Sequence, residues 1–255
     1  MTLEESIKTM ADAIAAALAR NVPSIYLHGS IALNDFKLGW SDIDILVLTN
    51  DELTPLQAQK LLGLRQITLE RFPDSAYFRL FEGGMRSAAA FIANTSERTV
   101  YWGTSGERIT NNYCFDSFCM SELLDSGILL HGDDIRIRLT APTYAQLRDD
   151  VARHYQTIRK HGTKGFGWLL DTARCIYTLK AGKVIAKTAA GEWALNEGIC
   201  PDPNVLSLAL QYRRDPIAAK ENKDLLDASE QTYSAIQRFA DVLNCELESA
   251  IHLCR

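Results

Sequence analysis

The stretch that most constrains this chain is SIYLHGSIALNDFKLGWSDIDILVLTN, residues 24–50, in which a polar segment separates two apolar runs. Gly29 and Ser30 follow the first run, and Asp42 and Asp44 stand two residues apart at the start of the second. A carboxylate in apolar surroundings is costly unless it is paired. We therefore expect a cation beside Asp42 and Asp44.

The two aspartates have the spacing of neighbours on one face of a strand, because side chains two residues apart point the same way. Ile43 and Ile45 would then be buried on the other face. Two carboxylates about 4 Å apart repel by roughly 4 kcal/mol at an effective dielectric constant near 20. A divalent cation turns this repulsion into binding, and oxygen ligands combined with substrate phosphates suit Mg²⁺. The pattern predicts a magnesium site at Asp42 and Asp44.

Gly29 and Ser30 have the character of a phosphate-binding turn. A glycine directly after a strand lets backbone N–H groups approach a phosphate closely, and a helix that follows would add its positive N-terminal end. The serine hydroxyl would donate to the same oxygens. No G-x-x-x-x-G-K-[ST] sequence occurs, so the chain is not a P-loop enzyme. The turn and the aspartates together predict a site for ATP with its magnesium ion.

Composition narrows the class of protein. The chain has 255 residues, 47% hydrophobic and 23% charged, which fits a globular protein with one large or two small domains. Its net charge is −5 and no long run of Lys or Arg appears, so we expect no nucleic acid partner.

Location and redox state also follow from simple patterns. Acidic residues in the first turns replace the basic flank of a signal peptide, and no stretch approaches the length of a membrane span. We therefore expect a cytoplasmic protein with no membrane contact. The six cysteines form no C-x-x-C pair, which predicts reduced thiols.

Periodicity predicts an α+β fold in two domains. Thr2 and Glu5 match a capping box for a first helix, and Thr54-Pro55 begins another through about Leu69. We expect strands at 25–27, 43–48, 77–81, 88–92 and 99–102, with Gly83 and Gly84 as separators. From about residue 143 the pattern is helical, with helices predicted at 143–161, 166–180, 188–197, 204–212 and 221–247. The predicted domains are residues 1–141 and 142–255.

The stretch HGSIALNDFKLGWSDIDILV resembles the nucleotidyltransferase signature of the polymerase-β-like superfamily, a Gly-Ser followed by Asp-x-Asp between hydrophobic residues. Members of that superfamily usually need a third carboxylate from a neighbouring strand, to complete the metal site or to act as a base. We assign this role to Glu82, at the end of an apolar strand. The competing acids fall late in a helix or in turns: Glu70, Asp74 and Glu97.

The chain also resembles the aminoglycoside adenylyltransferases that modify streptomycin and spectinomycin, which join such a domain to a helical C-terminal domain. In that family the third carboxylate lies in an Arg-x-x-Glu stretch. Arg79 and Glu82 stand at essentially the family's distance from Asp44. The resemblance implies that Glu82 is the catalytic base that acts on a hydroxyl of the drug.

The helical half carries the resemblance further. LLDTARCIYTLKAGKVIAKTAAGEWAL resembles a family segment in which an arginine and a lysine thirteen residues later contact the ATP phosphates. These positions are Arg174 and Lys187. A family tyrosine near the nucleotide corresponds, within about one residue, to Tyr212. The resemblance therefore implies that all three residues bind ATP.

Substrate contacts follow the family less closely. The nearest candidate for the family's aromatic stacking residue is Trp102. Streptomycin-modifying members carry acidic residues before the arginine, whereas this chain reads HGTKGFGWLLD, with Lys164 and with Asp171 as its one carboxylate. Asp171 is a second candidate for a substrate contact. These departures concern the identity of the drug more than the type of reaction.

Three other hypotheses stay open. The same chemistry would serve another small acceptor, such as a lincosamide or an endogenous sugar or alcohol. The acceptor would instead be a macromolecule in an enzyme that transfers AMP to tRNA or protein. A non-catalytic nucleotide-binding module is the third, and a retained Glu82 argues against it, since binding alone needs no base.

Overall fold

The computed structural model describes residues 1–103 and 106–252, with side chains through residue 250. These residues form two compact units. The first, here the sheet unit, comprises Met1–Ala32, Asp42–Phe115 and Leu123–Thr140. The second, here the helical unit, comprises Leu33–Ser41, Asp116–Glu122 and the chain from Ala141 onward. The predicted boundary at residue 141 falls where the last segment of the helical unit begins. The other two segments of that unit come from the first half of the chain.

The sheet unit is built on one mixed six-stranded sheet of order β5-β4-β3-β2-β1-β6. β2 and β3 are parallel, and every other neighbouring pair in this sheet is antiparallel. The strands are β1 (Pro23–Leu27), β2 (Ile43–Thr49), β3 (Phe81–Ser87), β4 (Thr99–Gly103), β5 (Gly106–Thr110) and β6 (Ile128–His131). The interior strands β1 and β2 carry the buried apolar runs that the sequence predicts.

The helices of this part of the chain include both of those that the sequence predicts. They are α1 (Leu3–Ala17), α2 (Gly29–Ala32), α3 (Pro55–Arg71), α4 (Ala88–Ala93) and α5 (Ser117–Ser126), the last of which begins in the helical unit. Capping boxes at Thr2 and Thr54 satisfy backbone N–H groups at the starts of α1 and α3, as expected. α2 is a single turn, too short to supply the helix N-terminus expected after Gly29.

Two predicted strands are wrong. Residues 78–80 form a 3₁₀ turn, and residues 88–92 lie in α4, an alanine-rich segment whose first turn Ser87 caps by accepting from the Ala90 N–H. Gly83 and Gly84 are not separators but lie inside β3. A Cβ on Gly83 would overlap the carbonyl oxygen of Ile45 on the paired strand, so glycine here permits close pairing rather than a turn.

The helical unit packs α6 to α12 around one apolar core. The helices are α6 (Tyr144–His161), α7 (Gly167–Ala181), α8 (Lys187–Asn196), α9 (Pro203–Arg214), α10 (Pro216–Ala219), α11 (Lys223–Glu230) and α12 (Tyr233–His252). Its largest fully buried side chains include Phe166 and Phe239. The predicted helices are confirmed, except that the predicted helix at 221–247 is two helices, with a break at Gln231 and Thr232. The α+β class is thereby confirmed.

Two further expectations concern the whole chain. Among the described residues, no helix is both long and apolar enough to cross a membrane. Five of the six cysteines lie in the described part of the chain and form no disulfide there, namely Cys114, Cys119, Cys175, Cys200 and Cys245. Cys254 lies outside the described residues.

Candidate active site

The two predicted strand carboxylates of the sheet unit, Asp44 and Glu82, are direct neighbours. β2 and β3 are parallel, and their register places Asp44 opposite Glu82. Residues paired across strands lie on the same face, with strands about 4.8 Å apart. Glu82 is the second residue of β3 rather than the last residue of a strand, since the predicted strand before it is a 3₁₀ turn. This start places its carboxylate at the same end of the sheet as that of Asp44.

Asp42 stands just before β2 and continues its alternation. Ile43 and Ile45 are fully buried, whereas Asp42 and Asp44 are partly exposed. The two aspartates therefore share the face opposite the apolar core, as their spacing predicts. The arrangement brings three carboxylates, Asp42, Asp44 and Glu82, to one end of two adjacent strands.

The turn at Gly29 lies against the Asp44 carboxylate. Gly29 has φ +63°, in the left-handed region that favours glycine, and a Cβ there would overlap Asp44 Oδ2. The next side chain, Ser30, donates from Oγ to the Asp42 carbonyl oxygen at 3.4 Å. Glycine is thus required both by the backbone conformation and by the carboxylate, which brings the turn and the acids together.

Tyr101 on β4 extends the carboxylate group. Its hydroxyl donates to Glu82 Oε1 at 2.5 Å, and the Arg108 guanidinium lies 4.3 Å from the centre of its ring. Burial and the neighbouring Glu82 carboxylate raise the pKa of Tyr101 well above its ordinary value, so the phenol keeps its proton and remains a donor. One oxygen of Glu82 is therefore held in place by Tyr101.

In the helical unit, Asp171 brings Arg174 and Lys187 together. Asp171 Oδ1 lies 3.0 Å from Lys187 Nζ and 3.4 Å from Arg174 Nη2. Arg174 Nη1 also donates to Glu122 at 3.0 Å, and its guanidinium lies over the Phe118 ring. The two cations that the sequence places thirteen residues apart thus share one carboxylate oxygen. Asp171 is an ion-pair partner of these cations.

The charge states of this group follow from its contacts. Burial alone would raise the pKa of Asp171, but Lys187, Arg174 and His154 lower it to about 2. Burial would lower the pKa of Arg174, but Asp171 and Glu122 raise it. Asp171 is therefore ionised and Arg174 is charged at neutral pH.

Comparison with models of known protein families gives two matches, one in each half of the chain. A nucleotidyltransferase domain matches residues 9–84, and the C-terminal domain of aminoglycoside adenylyltransferases matches residues 143–242. The first match contains Gly29, Asp44 and Glu82, and the second contains Arg174 and Lys187.

The chain joins a nucleotidyltransferase domain to an aminoglycoside adenylyltransferase C-terminal domain. It is an enzyme of the nucleotidyltransferase type, with the two domains expected from its sequence resemblance. Among solved structures, it is similar to spectinomycin adenyltransferase AAD(9) from Enterococcus faecialis, crystallised with ATP and spectinomycin. The TM-score is 0.74 at 16% identity, over 95% of this chain and 100% of that chain, so the two share a fold. A search of curated protein sequences gives no match.

The two aromatic residues predicted to contact ligands of this adenylyltransferase, Trp102 and Tyr212, differ in their burial. Trp102 is fully buried, and its indole N–H donates to the Leu61 carbonyl oxygen at 3.0 Å. A side chain in this position is part of the core and does not suit stacking on a substrate. Tyr212 is partly buried, with Trp40 packed edge-on at 5.6 Å and Phe166 at 5.7 Å, and burial raises its pKa.

Sequence reasoning missed Tyr101 and Glu122. The signal for Tyr101 is strand alternation, because a residue adjacent to buried Trp102 must face the other side of the sheet. β4 pairs Tyr101 with Gly84, two residues beyond Glu82 and so on its face. Glu122 has no such signal, since its contact with Arg174 joins residues 52 positions apart.

Proposed function

We propose that this adenylyltransferase transfers AMP from ATP to a hydroxyl of an aminocyclitol or aminoglycoside antibiotic of the spectinomycin and streptomycin type. The observation that carries the proposal is the register of Asp44 beside Glu82, with Gly29 packed against the Asp44 carboxylate. The fold shared with AAD(9), whose structure contains ATP and spectinomycin, supports the choice of both substrates.

The residues present fit magnesium. Asp42 and Asp44 offer hard oxygen ligands on one face, and the glycine turn lies against the Asp44 carboxylate, so phosphate oxygens bound by that turn would complete the coordination. We assign Asp42 and Asp44 as the residues that would hold Mg²⁺. When bound, Mg²⁺ supplies positive charge that neutralises the phosphates and lowers the pKa of the acceptor hydroxyl.

Each of the chain's own residues has a defined part in the proposed transfer. Glu82 removes the proton of the acceptor hydroxyl, and because Tyr101 occupies Oε1, we assign proton transfer to Oε2. The acceptor oxygen forms a bond to the α-phosphorus while the bond from that phosphorus to the bridging oxygen of the β-phosphate breaks. The products are the adenylylated acceptor and pyrophosphate.

The remaining residues bind and position ATP. Gly29 N–H and the Ser30 hydroxyl would donate to phosphate oxygens, and Tyr212 would contact the nucleotide. Arg174 and Lys187 would neutralise the charge that develops on pyrophosphate as it leaves. Their common contact with Asp171 supports this assignment, because the two cations reach one anionic oxygen.

The helical unit favours spectinomycin over the more highly charged streptomycin. Asp171, the one carboxylate between His161 and Arg174, is already neutralised by Lys187 and Arg174. Lys164 is paired with Glu230 at 2.5 Å. This segment therefore offers little negative charge to a cationic drug, which is why we place spectinomycin first.

A pyrophosphate-release screen tests the proposal. ATP and Mg²⁺ are supplied with spectinomycin, streptomycin, kanamycin, lincomycin or no acceptor, and the masses of the products are measured by mass spectrometry. We expect release that requires both Mg²⁺ and spectinomycin, with a product heavier by one adenylyl group. Pyrophosphate release with lincomycin and with no other antibiotic would show that the acceptor is a lincosamide. Radiolabel on the protein or on added tRNA, with no antibiotic product, would refute the small-molecule acceptor.

A further inference from the structure

A buried cluster in the helical unit surrounds the Asp35 carboxylate; we call Asp35, Thr188 and Arg213 the Asp35 cluster. Arg213 Nη2 lies 2.7 Å from Asp35 Oδ2, and the side chains are 2% and 8% exposed respectively. The Thr188 hydroxyl donates to Asp35 Oδ1 at 2.6 Å, and the Thr188 backbone N–H donates to Oδ2 at 3.3 Å. Arg213 Nε in turn donates to Thr188 Oγ1 at 3.0 Å. The three side chains therefore form a closed ring of hydrogen bonds.

Asp35 also supplies the side-chain hydrogen-bond acceptor that the start of α8 lacks. The residue before α8, Ala186, has no side-chain acceptor for the first turn of the helix. The Asp35 carboxylate accepts from the Thr188 N–H in its place, from 153 positions away in the chain. A carboxylate at a helix N-terminus is favourable both as an acceptor and through the helix dipole. Asp35 thus fixes the first turn of α8, which begins at Lys187.

The cluster adjoins two residues assigned to ATP. Lys187 directly precedes Thr188, and Tyr212 directly precedes Arg213. Trp40, in the same segment as Asp35, lies under the Arg213 guanidinium at 5.3 Å and edge-on to Tyr212 at 5.6 Å. Lys220 donates to the Gly39 carbonyl oxygen at 2.8 Å and so holds the far end of this segment. The segment between the Gly-Ser turn and Asp42 therefore orders both ATP-binding positions of the helical unit.

We propose that Asp35 is a positioning residue for nucleotide binding, which acts through Thr188 on Lys187 and through Arg213 on Tyr212. The inference rests on the proposed function, because that function assigns Lys187 and Tyr212 to ATP. Asp35 touches neither substrate in this role. Its removal should weaken ATP binding and also lower kcat, because the proposed function assigns Lys187 to the leaving pyrophosphate. The acceptor's KM should stay nearly as it is, since Asp35 does not contribute to the carboxylates of the sheet unit.

The test compares Asp35→Asn with the parent enzyme by calorimetry of a non-hydrolysable ATP analogue with Mg²⁺, and by steady-state kinetics. Asparagine keeps the shape but loses the charge that holds Arg213. We expect the Kd for the analogue and the KM for ATP to rise about tenfold, with kcat falling no further than in Lys187→Ala and the acceptor KM within threefold. Thr188→Val should raise the same two constants, and Thr188→Ser, which retains the hydroxyl, should restore them. This pair keeps the test valid if Asp35→Asn does not fold.

Two controls separate positioning from general stability. Leu243→Ala truncates a fully buried side chain of α12 in the same unit, and should lower the melting temperature with the ATP constants unchanged. In a cycle with the double variant Lys187→Ala/Tyr212→Ala, adding Asp35→Asn should change the analogue Kd by less than threefold, because Asp35 acts through these two residues. The inference would be overturned by an equal loss of ATP affinity in Leu243→Ala, or by a loss from Asp35→Asn that is as large in the double variant as in the parent.

Failure of this inference and failure of the proposed function give different results. Parental ATP affinity in both Asp35→Asn and Thr188→Val, in an enzyme that adenylylates an antibiotic, would refute the positioning role alone. A parent enzyme that binds the ATP analogue but accepts no antibiotic would refute the acceptor and leave the calorimetric test of Asp35 intact. A parent enzyme that binds no nucleotide would refute both.

Discussion

The Tyr101 hydroxyl donates a 2.5 Å hydrogen bond to Glu82 Oε1, and the two side chains come from adjacent strands of the sheet unit. Glu82 also stands opposite Asp44 on the other neighbouring strand. The residue assigned as base is therefore fixed on one side by a phenol and placed on the other beside an assigned metal ligand. Orientation of a catalytic group contributes to the rate, since a misplacement of about 1 Å can lower it about 10²-fold.

Tyr101→Phe tests this orientation. The variant removes one hydrogen bond to a carboxylate, which is worth about 1.5–3 kcal/mol. If about half of that value orients Glu82 in the transition state, kcat should fall about four- to tenfold, with the KM for ATP unchanged. Steady-state kinetics at saturating acceptor measures the change. Tyr177→Phe, in α7 of the helical unit, is the matched control and should keep the parental kcat; parental kcat in Tyr101→Phe would show that Glu82 needs no such support.

Glu82→Gln separates chemistry from binding. Glutamine keeps the size of the side chain but has no basic oxygen for the acceptor proton. We expect turnover to fall by about 10²–10⁴-fold, the usual contribution of a positioned base, while calorimetry shows MgATP binding close to that of the parent. AMP transfer at the parental rate by this variant would mean that the base lies elsewhere.

Asp44→Asn should show the opposite pattern. The amide removes one negative charge from the assigned magnesium site, so the metal-dependent part of ATP affinity should be lost. Titration of ATP with and without Mg²⁺ measures this metal-dependent affinity. The parent should bind ATP more tightly when Mg²⁺ is present, and the variant should show the same weak affinity with and without the ion. A retained magnesium effect would place the ion on other residues.

How much of this site the sequence predicts depends on the range of the contacts. Asp42, Asp44 and Gly29 are close in the chain, and a single local pattern places them correctly. Glu82 requires the family resemblance, because the parallel register that sets it beside Asp44 is a contact between distant residues. Its local context differs from the expected one: Gly83 and Gly84 suggest a turn, but they allow strand pairing and leave room for the Tyr113 ring.

The missed residues share one physical cause. Tyr101, Glu122, Asp35 and Arg213 act through side chains that meet across long separations in the chain, as Asp35 and Arg213 do at 178 positions. Strand alternation predicts the face of Tyr101, but no periodicity encodes which distant side chain a residue meets. Trp102 shows the converse error, since an aromatic side chain near a resembling motif suggests a ligand contact, whereas the strand buries it.

Gly29→Ala tests whether the turn beside Asp44 requires a residue without a side chain. Gly198 offers a matched control, because it has φ +64° against +63° for Gly29, but a Cβ on Gly198 would meet nothing within 4 Å. Alanine should destabilise both positions by about 1–2 kcal/mol through backbone strain alone. Gly29→Ala should additionally displace the Asp44 carboxylate and lower activity by about 10² or more, whereas Gly198→Ala should keep it. Equal activity in the two variants would show that the turn does not support the acids.

Asp171→Asn gives a prediction about pH. The pKa of Asp171 is lowered to about 2 against an ordinary value of 3.8, so its ionised form stabilises the folded state by about 2 kcal/mol above pH 4. This contribution is constant at neutral pH and is lost as the pH falls through about 4 towards 2. The groups that face the carboxylate are Lys187, Arg174 and His154, all of them cations or bases. Urea unfolding should therefore show the parent more stable than Asp171→Asn by a constant amount from about pH 7 to 5, with the difference shrinking below about pH 4. A difference that does not change down to about pH 3 would mean that the charge of Asp171 contributes nothing to folding.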